Sequence, residues 1–311
     1  MKRALAAALT SVAAAGAARA AYAVLTRRPP GGEKTWTRVN HRGEPVTLLE
    51  GPAVAAGAVL AQILSSERTS SSARPALALA LAGAGAFGFG VYDDLAGSGK
   101  RRGLRGHLGA LANGEVTTGA VKLGGLGATG LASALLLGGD PGDVVVNAGL
   151  VAGGANLLNL FDLRPGRAIK VATLSAALIT AVGADRGARA AAAPLGAALA
   201  LLPDDLGERA MLGDAGANAL GAMLGGAAAV SLPRPARIAL LAGIVALTGA
   251  SEKVSFTKVI ERTPPLRWLD MLGRRPPAGT PVAPAAREAE AAGVASVRSG
   301  ENSGTSPRRE T

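Results

Sequence analysis

The chain has 311 residues, of which 49% are hydrophobic and only 18% charged, with 44 glycines, 18 prolines, an aromatic share of 3% and a formal net charge of +11. This balance is poor for a water-soluble enzyme and fits a membrane protein whose helices are built largely from alanine. The absence of cysteine excludes disulfides and thiolate chemistry and says nothing more about compartment.

Lys2 and Arg3 precede the first apolar run, Ala4 to Leu25. A secretory signal peptide would have the same shape, with Ala18-Arg19-Ala20 as its cleavage site, but such short patterns are weak in alanine-rich sequence, and a membrane helix is the preferred reading. Further runs follow at Pro52 to Leu64, Pro75 to Tyr92, Val116 to Leu137, Val144 to Leu160, Ile169 to Val182, Ala190 to Leu202, Ala217 to Leu232 and Ile238 to Ala250. A bilayer crossing takes roughly 20 apolar residues, within a range of about 17 to 25. Several runs are shorter, and any one alone could be a buried helix of a soluble protein. Taken together they predict an all-α, polytopic transmembrane bundle of about nine to ten spans. Closely spaced glycine and alanine suit helices that pack tightly in lipid.

Basic residues set the expected orientation. Arg27, Arg28, Lys34, Arg38 and Arg42 follow the first run; Lys100, Arg101, Arg102 and Arg105 follow the third; Arg164, Arg167 and Lys170 follow the fifth. The alternate connections carry fewer, so the richer set is expected to face the cytoplasm of a multi-pass plasma-membrane protein. Residues 1–275 are expected to form one membrane domain. From Pro276 to Thr311 the chain is rich in proline, serine, glycine and mixed charge, which predicts a disordered cytoplasmic tail.

The polar residues that interrupt these runs fall on the basic side. Asp93 and Asp94 end the third run, Asn156, Asn159 and Asp162 end the fifth, and Gly213, Asp214 and Asn218 open the eighth. The three-residue steps from Asn156 to Asp162 are expected to put those side chains along one helical face. Each group has a plain structural reading: solvated interfacial acids for Asp93-Asp94, an N-cap for Asp214, interhelical hydrogen bonds for the asparagines. Their coincidence at one membrane face points instead to a site. Carboxylates from several helices suit Mg²⁺, which takes oxygen ligands and is commonly held by one or two carboxylates with substrate phosphates. Nearby arginines and lysines suit a phosphate-bearing substrate.

Two apparent motifs do not hold. Gly83, Gly85 and Gly88 match G-x-G-x-x-G but lie inside an apolar run with no strand before them; Gly97-Ser98-Gly99-Lys100 resembles a phosphate loop but lacks its first glycine and its final Ser/Thr. His41 and His107 have no partner at metal-ligand spacing, and His107 is the better placed to contact a phosphate.

Four segments carry a family resemblance: GVYDDL from Gly90, TTGAVKL from Thr117, NLLNLFDLRPG from Asn156 and MLGDAGANALG from Met211. In order and position they resemble the polyprenyl-phosphate N-acetylhexosamine-1-phosphate transferases, the family of the phospho-N-acetylmuramoyl-pentapeptide transferase of peptidoglycan synthesis. The resemblance covers about residues 30 to 275. It implies a membrane enzyme of cell-wall biogenesis, a phosphoglycosyl transferase. Such an enzyme moves a sugar 1-phosphate from a UDP-sugar to a polyprenyl phosphate at the cytoplasmic face, using Mg²⁺ and releasing UMP.

Carried over by position, the resemblance makes Asp93, Asp94 and Asp162 catalytic and Asp214 with Asp94 the metal ligands. Lys122, Asn156, Asn159, Lys100, Arg101, His107 and Arg164 would contact substrate. Dimers occur in the family, so a homodimer is expected by analogy, and no nucleic acid is expected among the partners. The chain departs from the pattern at Pro165, where a second loop acid is usual, and in Ser251 to Arg275, which has no histidine. Arg164, Arg167, Lys253 and Arg267 are the candidate replacement cations. The departures keep a second class open, a non-catalytic relative that binds lipid-linked precursors or scaffolds envelope assembly. A transporter is a distant third, because the polar groups sit at one face and not at the midplane.

Overall fold

A computed structural model of the chain describes residues 2–65, 70–96, 109 and 114–276. The chain divides into two units, Met1–Arg274 and Arg275–Thr311, and the first is the one described below. The expected tail lies outside the described residues beyond position 276.

The described residues form twelve helices: α1 (Lys2–Arg27), α2 (Glu33–Trp36), α3 (Glu50–Leu64), α4 (Ser70–Ala96), α5 (Thr118–Leu137), α6 (Pro141–Phe161), α7 (Arg167–Val182), α8 (Ala184–Leu206), α9 (Gly213–Ser231), α10 (Arg234–Ser251), α11 (Phe256–Arg262) and α12 (Pro264–Met271). Between α2 and α3, β1 (Thr37–Val39) and β2 (Pro45–Thr47) make an antiparallel hairpin with Thr37 opposite Thr47. Local chemistry sets several boundaries. The Thr117 hydroxyl accepts from the Ala120 N–H and starts α5, while Asp140 accepts from the Asp143 N–H and Pro141 opens α6. Gly138, at φ +79°, ends α5.

Among the described residues, four helical segments are long and apolar enough to cross a bilayer: Ala4–Arg27, Ala73–Ala96, Thr118–Leu137 and Pro141–Phe161. The pair α10 and α11, bent by 96°, makes a fifth if counted as one span. The chain is therefore a multi-pass membrane protein. The expectation of nine to ten spans is corrected, for identifiable reasons. Every apolar run does lie in a helix, but α3 has 15 residues and α7 has 16, short of a crossing. α8 carries Asp185, Arg186 and Arg189 near one end and Asp204 and Asp205 at the other. α9 is glycine- and alanine-rich and enclosed by other helices over most of its length.

α9 is the central post, packed against α3, α4, α6 and α8. Its glycines let backbones touch. A Cβ on Gly225 would stand 2.1 Å from the Leu150 carbonyl oxygen of α6, and one on Gly221 would stand 2.3 Å from that of Gly154. From α4, a Cβ on Gly90 would lie 2.4 Å from the Asp214 carbonyl oxygen. Such approach maximises dispersion contact where lipid supplies no hydrophobic drive between helices. It also draws the end of α4 and the end of α6 onto the first turn of α9. The opposite end of the bundle is tied by Arg234 to Asp140 (2.7 Å), and by Arg237 to Asp143 (2.9 Å) and Asn147 (2.7 Å).

Gly225→Ala is expected to push α6 from α9 and destabilise the protein by about 1–3 kcal/mol. Gly127→Ala in α5, where a Cβ meets nothing within 4 Å, is expected to be neutral or to stabilise by about 0.5–1 kcal/mol. Thermal unfolding of the two variants in detergent checks the contrast.

Candidate functional site

A helix begins with N–H groups that have no partner inside the helix, and with a partial positive charge. At α9 these are met by carboxylates from two other helices. Asp94, in the last turn of α4, accepts from the Asp214 N–H at 3.0 Å through Oδ1 and from the Ala215 N–H at 2.9 Å through Oδ2. Asp162, which caps the end of α6, lies beside the Gly213 N–H. Gly213 sits at φ +61°, and a Cβ there would come within 3.0 Å of Asp94 Oδ2, so the residue must be glycine for both conformation and space. The Asp94 carbonyl oxygen accepts from Arg38 of β1 at 2.6 Å, which answers an orphan acceptor at the end of α4.

Asp93 and Asp214 face Lys122 in the first turns of α5. Lys122 Nζ lies 3.2 Å from Asp93 Oδ2 and forms a closer ion pair with Asp214. The lysine side chain is only 8% exposed, against 20% for Asp93 and 25% for Asp214. Asp93, Asp94, Lys122, Asp162 and Asp214 thus gather at one end of the bundle. Burial, with repulsion from Asp205, Asp214 and Asp94, pushes the Asp162 carboxyl well above the usual range, against the pull of the Gly213 N–H. Its Oδ1 is buried and has no donor among the described residues.

The other expected site residues are placed differently. Asn156 and Asn159 are half-buried on α6. Asn156 lies two turns past Gly149, which packs on Leu241 of α10, and Asn159 lies two turns past Ala152, which meets α5 at Gly130. Asp162 turns to α9. The three-residue steps, each 60° short of a full turn, spread Asn156, Asn159 and Asp162 over about 120° of the helix. Arg164 is ion-paired to Glu261 of α11 at 2.6 Å. Lys100, Arg101, Arg105 and His107 lie outside the described residues.

The expectation that Arg167 supplies a free replacement cation is corrected. It is buried and donates to Asp270 of α12 from Nε (2.8 Å) and Nη2 (3.1 Å), and to Thr257 of α11 from Nη1 (3.0 Å). Its partner holds it because a bidentate guanidinium–carboxylate pair is the strong form of the contact.

Sequence reasoning passed over several buried charges at this end. Glu208 is fully buried and meets Arg42 at 2.6 Å and Arg274 at 3.5 Å, while Arg274 also reaches Asp270 at 3.1 Å. His41 Nε2 lies 3.4 Å from Arg274 Nη2, and burial together with that guanidinium lowers the imidazole pKa, favouring a neutral ring that accepts. Asp205 Oδ1 accepts from the Gly166 N–H at 2.6 Å while Oδ2 has no donor among the described residues. Glu50, at the start of α3, is fully buried with neither oxygen partnered among the described residues. Asp204-Asp205 was legible as a second acidic doublet ending an apolar run. Nothing local marks Glu50.

Among the described residues no group of three His, Asp or Glu side chains converges to hold a metal ion. Two carboxylates, Asp93 and Asp214, do flank one cationic position, now held by Lys122. That donor set fits Mg²⁺ in its substrate-assisted mode, with phosphate oxygens completing the shell, and not an all-protein cage. Comparison of the sequence with protein-family models gives no match, and comparison with curated proteins gives none.

Lys122→Met leaves Asp93 and Asp214 facing each other without a cation. The variant is expected to lose about 2–4 kcal/mol of stability, the pair being partly exposed; adding Asp93→Asn is expected to restore part of it in the same unfolding measurement. A second expectation concerns acid. Burial raises the Asp270 carboxyl, but the hydrogen bonds and charge of Arg167, then Arg274, outweigh it and hold it below the ordinary value. A carboxyl depressed in the folded state contributes stability that is present above its unfolded pKa and lost as pH falls through the folded one. Docking of α12 is thus expected to weaken below about pH 4, and Asp270→Asn to remove that dependence, as read by tryptophan fluorescence.

Proposed function

We propose that the chain is a phosphoglycosyl transferase of the cytoplasmic membrane face, which moves a sugar 1-phosphate from a UDP-sugar to a polyprenyl phosphate and releases UMP. One observation carries the reading: Asp93, Asp94, Asp162 and Asp214, from two helices and one helix cap, gather around Lys122 and the first turn of α9. Among the described residues the ion pairs of Asp93 and Asp214 both go to one lysine, Lys122, so two carboxylates share one positive charge and a divalent cation would match both.

In the proposed reaction a phosphate oxygen of the lipid attacks the sugar-bearing phosphorus of the donor, and the bond from that phosphorus to the UMP oxygen breaks. Mg²⁺, when bound, supplies charge neutralisation for the diphosphate. Asp214 and Asp93 would hold it. Asp94, with both oxygens committed to α9, positions the Asp214 backbone, and Lys122 turns its ammonium from the acids toward phosphate oxygens. The acceptor phosphate is mostly dianionic at neutral pH and needs little help from a base.

The second reading, a binder of lipid-linked precursors without turnover, is favoured by Lys122 itself. An internal ammonium between Asp93 and Asp214 satisfies both acids with no metal. Purified full-length protein with undecaprenyl phosphate, Mg²⁺ and a panel of UDP-sugars separates the two. UMP release is expected with at least one donor, and Asp214→Asn is expected to lower it on the order of 100-fold or more. Lipid binding with no release from any donor would leave the binder.

A further inference from the structure

The segment after α10 has two unlike faces. One is fastened to the bundle: Phe256 stacks on Phe161 with ring centroids 5.3 Å apart, Glu261 pairs with Arg164, and Asp270 holds Arg167. Lys170 adds hydrogen bonds to the Leu269 and Leu272 carbonyl oxygens at 2.9 and 3.1 Å. The other face is open. Trp268 is two residues from Asp270, about 200° round the helix, and is 67% exposed; Leu266 of α12 and Val259 of α11 are exposed as well.

Four cations share this exposed surface: Lys253, Lys258, Arg262 and Arg267. None has an ion-pair partner among the described residues, whereas the acids Glu261 and Asp270 are taken by Arg164 and Arg167. Exposed lysines alone are ordinarily just solvated. Here they accompany an exposed tryptophan, and the segment begins where α10 ends. α10 by itself has 18 residues, within the length a crossing takes, and α11 leaves it at 96°; with α10 as the crossing part of the bent pair, α11 runs along the bilayer surface. Indole rings favour the headgroup level, long cationic side chains reach phosphates from an apolar footing, and unpaired cations at a bilayer surface attract anionic lipid.

We propose that α11 and α12 form an in-plane membrane-surface segment that binds anionic phospholipid headgroups through Lys253, Lys258, Arg262 and Arg267 and holds Trp268 at headgroup level. The assignment is independent of the transferase reading, because none of these side chains touches the acidic site.

The chain has two tryptophans, and Trp36 is buried with its indole N–H donated to the Pro30 carbonyl oxygen at 2.7 Å. The fluorescence difference between the full chain and its Trp268→Phe variant therefore reports Trp268. Both are reconstituted in vesicles whose bromine, near the headgroup end of the acyl chains, is carried by phosphatidylglycerol or by phosphatidylcholine at the same minor fraction. Brominated phosphatidylglycerol is expected to quench the Trp268 signal roughly twice as strongly or more, and the preference to shrink at high salt. Replacing the four cations by Gln is expected to equalise the two lipids. Equal quenching in the unmodified chain would overturn the headgroup assignment. Absence of bromolipid quenching with full access to aqueous iodide would overturn the surface location. Protection from iodide that depends on protein density, without bromolipid quenching, would put a second copy on this face and overturn the lipid.

Discussion

The first turn of α9 is the constraint on which the site depends. Two of its leading N–H groups, on Asp214 and Ala215, are taken by Asp94, and Asp162 lies beside the Gly213 N–H; an unpaired donor in this buried position would be costly. To deliver those carboxylates, α4 and α6 must end against α9. Gly90, Gly154, Gly213 and Gly221 make the approach possible, since each added Cβ would meet backbone or a carboxylate at 3.0 Å or less. The acidic doublet at the end of α4 opposes that helix's own dipole. It is tolerated because Asp94 faces the opposite pole of another helix and Asp93 faces Lys122.

Charge at this end of the bundle is sorted into two regimes. Around Arg167, Asp270, Arg274, Glu208 and Arg42 the signs alternate and each buried group has a counter-ion. Such networks add little net stability over an apolar core, but they define one arrangement of the chain. Toward α3 and α9 the balance tips. Among the described residues Glu50, Asp162 and Asp205 keep oxygens without donors, and Lys122 stands between Asp93 and Asp214. A site left electron-rich on one side and stiffened by ion pairs on the other is suited to a cationic or cation-bridged anionic ligand.

Much of the architecture is legible in one dimension. Each apolar run recognised by composition lies in a helix, and Asp93, Asp94, Asp162 and Asp214 could be assigned to one end from alternation alone. The number of crossings could not be read so easily. A run of alanines has the same helical signal whether it faces lipid, as parts of α4 and α5 do, or is enclosed like α9. The phases of Asn156 and Asn159 show the same limit at finer scale, since i, i+3 spacing names a neighbourhood on one helix and not the helix opposite. Arg167 looked like a spare cation until Asp270, 103 residues away in sequence, closed on it.

The sequence by itself determined an all-α membrane protein with an acid-bearing, arginine-rich end, because apolar run length, charge placement and helix propensity are local properties. Only the tertiary structure decided which acids cap α9, that Lys122 joins Asp93 to Asp214, and that Glu50 is buried with no partner among the described residues. Those outcomes depend on backbones meeting at glycines far apart in the chain, where geometry and desolvation act on groups that no sequence window contains together.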